Sequence, residues 1–227
     1  MSTIKENKTY LLMLVGILFL FFLASFFLSK SQSSPSYFMH LTSFVMKYVN
    51  PSSEAVISET NKINLKLITS KGEIVIELDP TNGYYNVQNA YLFSKEKAYD
   101  ASTISFNSTT NTFNLVAKDT LKRILPNEIN FVSLKISADK AKSLNGNKIY
   151  SDDSYISKTF SKNSFGVKLD TANLVRNEFI ISNSDNKELD GYYVNIGRVV
   201  IGAEILDTIV NKKDKITINS SSVSVKQ

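Results

Sequence analysis

The sequence predicts a mainly β domain that follows a single N-terminal transmembrane helix. Three observations predict this fold class: an uncharged apolar run near the amino terminus, later segments that alternate apolar and polar residues, and glycine-containing turns between those segments. Of the 227 residues, 43% are hydrophobic. About 200 residues remain once the apolar run is set aside, which is enough for one hydrophobic core.

The apolar run predicts a membrane span. From Tyr10 to Leu28 no residue is charged, and an α-helix of this length reaches about 28 Å, close to the thickness of a bilayer's hydrocarbon core. We therefore predict a short tail at 1–9, a transmembrane helix at 10–29 and membrane contact through residues 10–28. A cleaved signal peptide is the competing interpretation, but its apolar region is shorter and ends in small residues, whereas Ala24 precedes Ser, Phe, Phe and Leu.

The charges that flank the run predict its orientation. Lys5, Lys8 and the amino group precede the run, while Lys30 and Lys47 follow it. By the positive-inside rule this difference slightly favours a cytoplasmic amino terminus. We therefore expect the C-terminal domain on the non-cytoplasmic side of the membrane.

Residues 30–62 predict a linker that contains an amphipathic helix at 36–50. A polar stretch, SQSSPS, opens the linker, and Pro51 follows the helical segment. The apolar side chains of the segment fall on one helical stripe: Tyr37, Phe38, Leu41, Phe44, Val45 and Tyr48. Three interpretations of this stripe stay open: it packs on the following domain, it binds a partner, or it lies in the membrane interface.

Alternating residues begin at Ile63 and predict strands. The segments INLKLI and EIVIELD place apolar residues at every second position, and Lys71-Gly72 between them predicts a tight hairpin. Residues 84–98 have the apolar spacing of a helix. Two further strands are predicted at 102–108 and 111–117.

The segment from 119 to 164 has the weakest pattern. VSLKISA, residues 132–138, alternates like one strand, and residues 143–164 have the composition of a long polar loop with short strand pieces. Asp152 and Asp153 lie in that loop. Adjacent carboxylates without the alternation of a calcium loop are typical of solvated side chains, so we predict no metal site there.

The last third again shows clear elements. EFIIS at 178–182 predicts a buried strand, and Asp190-Gly191 predicts a turn before a strand from Val194 to Val200. AEILDTIVN, beginning at Ala203, has a helical apolar face. KITINSSSVSVK predicts the closing strand.

Composition excludes several classes of function. The chain has no cysteine, and its single histidine, His40, precedes the predicted domain, so thiolate chemistry, disulfides, a Ser-His-Asp triad and multi-histidine metal sites are excluded. The net charge is only +5 and three residues are arginine, which argues against nucleic-acid binding. We predict no cofactor and no metal.

Several short motifs resemble those of the cyclophilin family of peptidyl-prolyl isomerases. They are LDG at 189–191, GRV at 197–199, Gly202, Asp207 and Ile209, and, nearer the front, T-S-K-G at 69–72, NVQNA at 86–90 and Tyr99-Asp100. The resemblance implies an eight-stranded antiparallel barrel with two capping helices over residues 63–227. Its glycines serve turns and close backbone approach.

The resemblance also implies a catalytic groove, most of whose residues differ here. The family's arginine in F-H-R becomes Ser108, and its groove glutamines become Val116 and Glu178. The pocket phenylalanine is retained as Phe113. An aromatic wall residue becomes Ile180, the family's later histidine becomes Tyr193, and the residue before L-D-G, often tryptophan, is Glu188.

From these losses we predict a catalytically degenerate domain that binds a protein partner or serves as a structural subunit of a membrane-associated assembly. An active membrane-anchored isomerase or foldase is the alternative, and Arg176 near Glu178 is a possible replacement donor. An unrelated β-rich anchored adhesin or envelope protein is the third class. Fold alone does not decide between them.

Overall fold

A computed structural model describes residues 62–118, 128–147, 149–169, 177–212 and 214–226. The predicted transmembrane helix at 10–29 and the amphipathic helix at 36–50 lie outside these residues, as do His40 and Arg176. Among the residues described, no helix is long and apolar enough to cross a membrane.

Eight strands form a closed barrel in which every neighbouring pair is antiparallel. Around the barrel the order is β1-β2-β7-β5-β6-β4-β3-β8. The strands are β1 (Lys62–Thr69), β2 (Gly72–Leu78), β3 (Thr103–Asn107), β4 (Thr112–Val116), β5 (Ser164–Lys168), β6 (Glu178–Ser182), β7 (Tyr193–Ile201) and β8 (Lys215–Lys226). The predicted eight-stranded antiparallel barrel is confirmed.

Apolar side chains at alternate positions of the strands fill the interior of the barrel. In β1, Ile63, Leu65 and Leu67 point inward and are fully buried, while the residues between them are partly exposed. The predicted hairpin follows, because Thr69 pairs with Gly72 and the Thr69 hydroxyl donates a 2.7 Å hydrogen bond to the Gly72 carbonyl. Gly72 has φ +136°, a backbone conformation that favours glycine.

Three α-helices accompany the barrel within the described residues, where the sequence predicted two. They are α1 (Tyr84–Lys95), α2 (Ala138–Gly146) and α3 (Ala203–Lys212). The buried carboxylate of Glu128 lies at the start of α1 and accepts hydrogen bonds of 2.8 Å from the backbone N–H groups of Tyr85 and Asn86. This carboxylate satisfies N–H groups that a helix start leaves without partners.

Helix α2 overturns the predicted strand at 132–138. Asn130 Oδ1 accepts hydrogen bonds from the N–H groups of Val132 and Ser133, which folds this segment into a turn. Lys135 then adopts φ +54°, and the Ser137 hydroxyl caps α2 by accepting from Lys140 N at 3.3 Å. Local side-chain bonds to the backbone therefore outweigh a short alternating pattern.

The polar stretch that follows α2 has no regular strand. Residues 149–163 are described and contain turns and irregular backbone, so the strand pieces predicted there are wrong. The stretch is held to the barrel by side chains instead: Lys158 Nζ lies 2.8 Å from Asp79 Oδ2, and Asn195 Nδ2 donates to the Thr159 carbonyl at 3.0 Å.

Candidate functional site

The candidate site is the outer face of four neighbouring strands, β4, β6, β5 and β7. Phe179, Ile181, Phe165 and Val194 point into the barrel core, so the residues between them in sequence face outward. The register places these outward residues in two rows across the strands: Asn114, Ile180, Gly166 and Asn195 in one, and Val116, Glu178, Lys168 and Tyr193 in the other.

Four of the six site residues predicted from the sequence lie on this face: Val116, Glu178, Ile180 and Tyr193. Phe113 lies elsewhere. It points into the core, is 1% exposed, and its ring centroid is 5.3 Å from that of Phe106. The retained phenylalanine therefore contributes to barrel packing rather than to the outer surface.

Ser108, the sixth predicted residue, is exposed in the turn that joins β3 to β4. Asn107 Oδ1 shapes the turn by accepting hydrogen bonds from Thr109 N at 3.0 Å and Thr110 N at 3.4 Å. Asn186 Nδ2 in turn donates to the Thr110 carbonyl at 3.0 Å. The turn is thereby fixed against the loop that precedes Leu189.

The centre of the face is covered by Phe160, a residue that no sequence pattern indicated. Its ring lies on Gly166, where an added Cβ would clash with the ring. Phe160 forms a small apolar cluster with Ile180 and Leu189, and the ring of Tyr193 packs against it with the centroids 6.3 Å apart. As a result only 2% of Phe160 and 3% of Ile180 are exposed.

Asp190 of the LDG motif holds Phe160 in place. Its buried Oδ1 accepts a hydrogen bond from Phe160 N at 3.0 Å, and Asn186 N donates to the Phe160 carbonyl at 3.0 Å. Burial raises the pKa of Asp190, although the bond from Phe160 and the charges of Lys140 and Lys187 act in the opposite direction.

Helix α2 supports the LDG turn from outside. Gly191 has φ +94°, and a Cβ there would clash with the side chain of Leu144. Lys140 Nζ donates to the carbonyl oxygens of Lys187 and Glu188 at 3.2 Å and lies over the Tyr192 ring, 5.5 Å from its centroid. The helix missed from the sequence therefore fixes one wall of the site.

The second row of the face contains an ion pair. Lys168 Nζ lies 2.7 Å from Glu178 Oε2, and both side chains are about half exposed. Tyr193 is opposite Lys168 in the register. Burial raises the pKa of Tyr193, and the charge of Glu178 adds to this rise while that of Lys168 opposes it. The tyrosine hydroxyl is therefore protonated at neutral pH.

A pocket of about 490 Å³ adjoins the covered centre. Its walls come from the β3–β4 turn, the end of β5, the loop at 184–186 and the LDG turn. The lining residues are Thr109, Thr110, Asn111, Lys168, Leu169, Ser184, Asn186, Glu188, Leu189, Tyr192 and Tyr193. Of the six site residues predicted from the sequence, only Tyr193 lines this pocket. Glu188, the residue before the LDG motif, lines it as well.

The described residues offer no metal centre: no three His, Cys, Asp or Glu side chains there stand close enough together to hold an ion. Asp152 Oδ1 accepts hydrogen bonds from the backbone N–H and the hydroxyl of Ser154, at 3.0 and 2.6 Å. This carboxylate therefore shapes a local turn.

Comparisons with known proteins agree with the barrel. The sequence model of the family described as cyclophilin type peptidyl-prolyl cis-trans isomerase/CLD matches residues 64–226, well over half of the chain. None of the curated protein sequences matches the chain significantly.

Many solved structures are similar to this one, and two of them are described here. A cyclophilin from Hirschia baltica is 12% identical, with a TM-score of 0.52 and coverage of 70% of this chain and 73% of that one. A cyclophilin type peptidyl-prolyl cis-trans isomerase from Cryptosporidium parvum is 16% identical, with a TM-score of 0.48 and coverage of 73% of this chain and 98% of that one. At 12% identity the likeness to the Hirschia baltica cyclophilin concerns the fold alone.

Proposed function

The chain belongs to the cyclophilin-type peptidyl-prolyl cis-trans isomerase family, and we propose that within this family it is a protein-binding domain without effective isomerase activity. In this proposal residues 10–28 anchor it in a membrane, where it serves as a binding or structural subunit of a membrane-associated assembly. The support comes from the outer face of the barrel and from the uncharged apolar run.

Isomerisation of a prolyl bond sets two requirements on a site. The barrier to rotation is about 18–20 kcal/mol because amide resonance must be broken. A catalyst lowers it with an apolar pocket that accepts the proline ring and with a preorganised donor that favours the twisted state over the planar one.

The observation that carries the proposal is the position of Phe160. Its ring covers Gly166 and Ile180, and the resemblance assigns Ile180 to the wall of the groove. Because Ile180 is only 3% exposed, a proline ring cannot contact it unless Phe160 first moves away. The hydrogen bond from the backbone N–H of Phe160 to Asp190 holds the backbone that carries this ring.

The arginine that the resemblance assigns as the donor is also missing from this face. A serine hydroxyl at Ser108 has neither the charge nor the reach of a guanidinium, and Val116 has no polar group. Arg198, the arginine within the described residues, lies five residues along β7 from Tyr193, roughly 16 Å at strand spacing. Loss of one transition-state donor costs about 2.7–4 kcal/mol, or 10² to 10³ in rate.

The binding role is favoured by the residues that remain. The barrel is closed, the LDG turn is supported from both sides, and the pocket beside Phe160 is lined by two leucines, two tyrosines and seven polar or charged residues. Pockets of roughly 300–1,000 Å³ are typical of ligand sites. A retained scaffold with such a pocket fits recognition better than catalysis.

The test is a measurement of cis/trans exchange in an Ala-Pro peptide by NMR, with the full-length chain purified in detergent. We expect the uncatalysed exchange, with a time constant of tens to hundreds of seconds. Detergent without protein is the control for the background rate. A protein-dependent exchange rate that scales with the concentration of the chain would contradict the proposal.

A further inference from the structure

We infer that Val132 and Ile156 form the centre of a surface at which two copies of this chain associate about a twofold axis. In this arrangement Lys135 of each copy faces Asp153 of the other. The surface lies outside the pocket beside Phe160, whose lining includes none of these four residues. The inference goes beyond the proposed function, because it depends neither on the loss of isomerase activity nor on binding at that pocket.

The apolar part of the surface is unusually exposed. Val132 is 75% exposed and Ile156 is 64% exposed, the highest values among the large apolar side chains in the described part of the chain. A single exposed apolar side chain is ordinary on a monomeric protein, whereas exposed apolar side chains that lie together mark interaction sites. The position of the two residues relative to each other therefore decides their significance.

Hydrogen bonds join the two segments that carry these side chains. The Ser157 N–H donates to Ser133 Oγ at 3.1 Å, and the Asn130 N–H donates to Ser157 Oγ at 2.8 Å. Each exposed apolar residue directly precedes one of the two bonded serines in the sequence. Val132 and Ile156 therefore lie on adjoining segments and form one patch.

The turn that carries Val132 is fixed by further bonds. Asn130 Oδ1 accepts hydrogen bonds from the N–H groups of Val132 and Ser133 at 2.8 and 3.0 Å, and the Ser133 hydroxyl donates to the Asn130 carbonyl at 3.1 Å. Phe131, between them, is 8% exposed and belongs to the hydrophobic core. A surface that is already held in one conformation loses little entropy when it binds.

One exposed charge lies beside each apolar residue. The Lys135 N–H donates to the Val132 carbonyl at 3.0 Å, so Lys135 closes the turn of Val132. Asp153 lies in the exposed turn that leads to Ile156. Neither Lys135 nor Asp153 forms an ion pair with a described residue.

The other charged side chains nearby are accounted for. Lys158 Nζ lies 2.8 Å from Asp79 Oδ2, and Asp152 Oδ1 accepts two hydrogen bonds from Ser154. Asp139 is in the first turn of α2, where the helix dipole favours a carboxylate. What remains beside the apolar pair is one uncompensated charge of each sign.

This distribution of charge favours a second copy as the occupant. In a twofold contact residue i of one copy meets residue j of the other, and j meets i. The contact therefore packs Val132 on Ile156 twice and pairs Lys135 with Asp153 twice. A partner surface of a single sign, including a bilayer rich in anionic lipid, would repel one of the two charged side chains.

The association is expected to be weak. Stable interfaces bury about 800 Å² on each partner, which is far more than two side chains cover. Anchoring of both copies in one bilayer, as proposed above, raises their effective concentration and favours the contact. A covalent trap is therefore the suitable way to detect it.

Disulfide trapping has no background from the native sequence, because the chain contains no cysteine. Full-length Val132→Cys and Ile156→Cys, one with a longer tag, are mixed in detergent, oxidised mildly and separated by non-reducing electrophoresis. We expect their heterodimer to form roughly tenfold faster than when Val200→Cys, 43% exposed at the end of β7, replaces Ile156→Cys. Equal rates for the two mixtures would overturn the inference.

Charge reversal tests the pairing across the axis. In the cysteine variants, Lys135→Asp and Asp153→Lys are each expected to slow trapping roughly tenfold, because like charges then face each other. Both reversals in one chain restore the opposite charges and are expected to restore the rate. Lys142→Asp, an exposed reversal on α2, is the control and is expected to have no effect. A double reversal as slow as either single one would contradict the pairing.

A bilayer surface is the alternative occupant. A polarity-sensitive fluorophore on Val132→Cys reports it, with the full-length chain reconstituted in vesicles of phosphatidylcholine and phosphatidylserine. An apolar signal that persists when the chain is diluted until copies no longer meet would overturn the inference in favour of the membrane. Prolyl exchange in an Ala-Pro peptide on the same preparation tests the proposed function separately, so either can fail while the other stands.

Discussion

The backbone N–H of Phe160 donates a 3.0 Å hydrogen bond to Oδ1 of Asp190, thirty residues further along the chain. This bond joins the irregular stretch after α2 to the LDG turn. Because Asp190 is 2% exposed and Phe160 equally buried, the bond forms away from water, where an unpaired polar group is costly. The position of the ring over Ile180 depends on it.

Replacing Asp190 tests this relationship. Asp190→Ala leaves the Phe160 N–H without its acceptor in a buried place, and we expect the free energy of unfolding to fall by about 1–3 kcal/mol. Asp190→Asn keeps an acceptor oxygen and is expected to lose less. Urea unfolding of the two variants measures the difference, and a fully stable Asp190→Ala would contradict the role of the bond.

The same carboxyl predicts a dependence of stability on pH. Burial raises the pKa of Asp190 above its unfolded value, so the folded state holds the proton more tightly. The stabilisation is present at pH below the unfolded pKa and is lost as pH rises through the folded pKa. Asp79 acts in the opposite sense. Burial acts to raise its pKa, but its hydrogen bonds to Lys158 and Thr81 outweigh burial and lower the pKa. The stabilisation that Asp79 contributes is therefore lost as pH falls.

Comparison of the wild-type protein with Asp190→Asn isolates the contribution of Asp190 to the pH dependence of stability. Unfolding free energies of both proteins from about pH 3 to pH 7 are the measurement. We expect the wild-type protein to lose stability relative to Asp190→Asn as pH rises. A constant difference across this range would show that the carboxyl does not titrate as its burial implies.

Substitution of Gly166 by alanine tests whether the Phe160 ring lies on Gly166, as the structure shows. A Cβ at this position clashes with the Phe160 ring, so Gly166→Ala is expected to destabilise the fold by about 1–3 kcal/mol as an overpacked site. Combining it with Phe160→Ala removes the clash. We expect the two changes together to cost clearly less than the sum of their separate effects.

The relief is expected to be partial, because the same Cβ lies 3.0 Å from the Val194 carbonyl oxygen. A double-mutant cycle of unfolding free energies measures the coupling. Strict additivity would mean that the Phe160 ring does not lie on Gly166.

The proposed anchor is tested by fractionation. Residues 10–28 carry no charge and match a bilayer in length. The full-length protein is expected to stay with membranes after alkaline carbonate extraction, and a variant lacking residues 1–29 is expected to move to the soluble fraction. Release of the full-length protein by carbonate would contradict the anchor.

The barrel could be predicted well from the sequence, and its strands show why. Ile63, Leu65 and Leu67 alternate because one face of β1 fills the core, and the positive φ values of Gly72 and Gly191 correspond to the predicted turns. Periodicity records local burial, so it locates strands. The closed order of the strands came from the family resemblance alone.

The filled centre of the site could not be predicted in this way. Phe160 follows Lys158 and Thr159 in a stretch without periodicity, and its place depends on Gly166 and Asp190, which no local pattern connects to it. Helix α2 was missed for a related reason, because the short alternation around Leu134 reflects a turn. Comparison of motifs located Ile180 on the groove but did not show what covers it.

The central claim is that the protein's own Phe160 fills the pocket in which a prolyl ligand would bind. The most direct test is titration of Ala-Pro dipeptide into full-length wild-type protein and into Phe160→Ala and Phe160→Leu, each checked for cooperative unfolding. Leu keeps most of the space filled, so only Phe160→Ala is expected to show saturable binding, at least ten times tighter than that of the wild-type protein. Binding to the wild-type protein as tight as to Phe160→Ala would contradict the account.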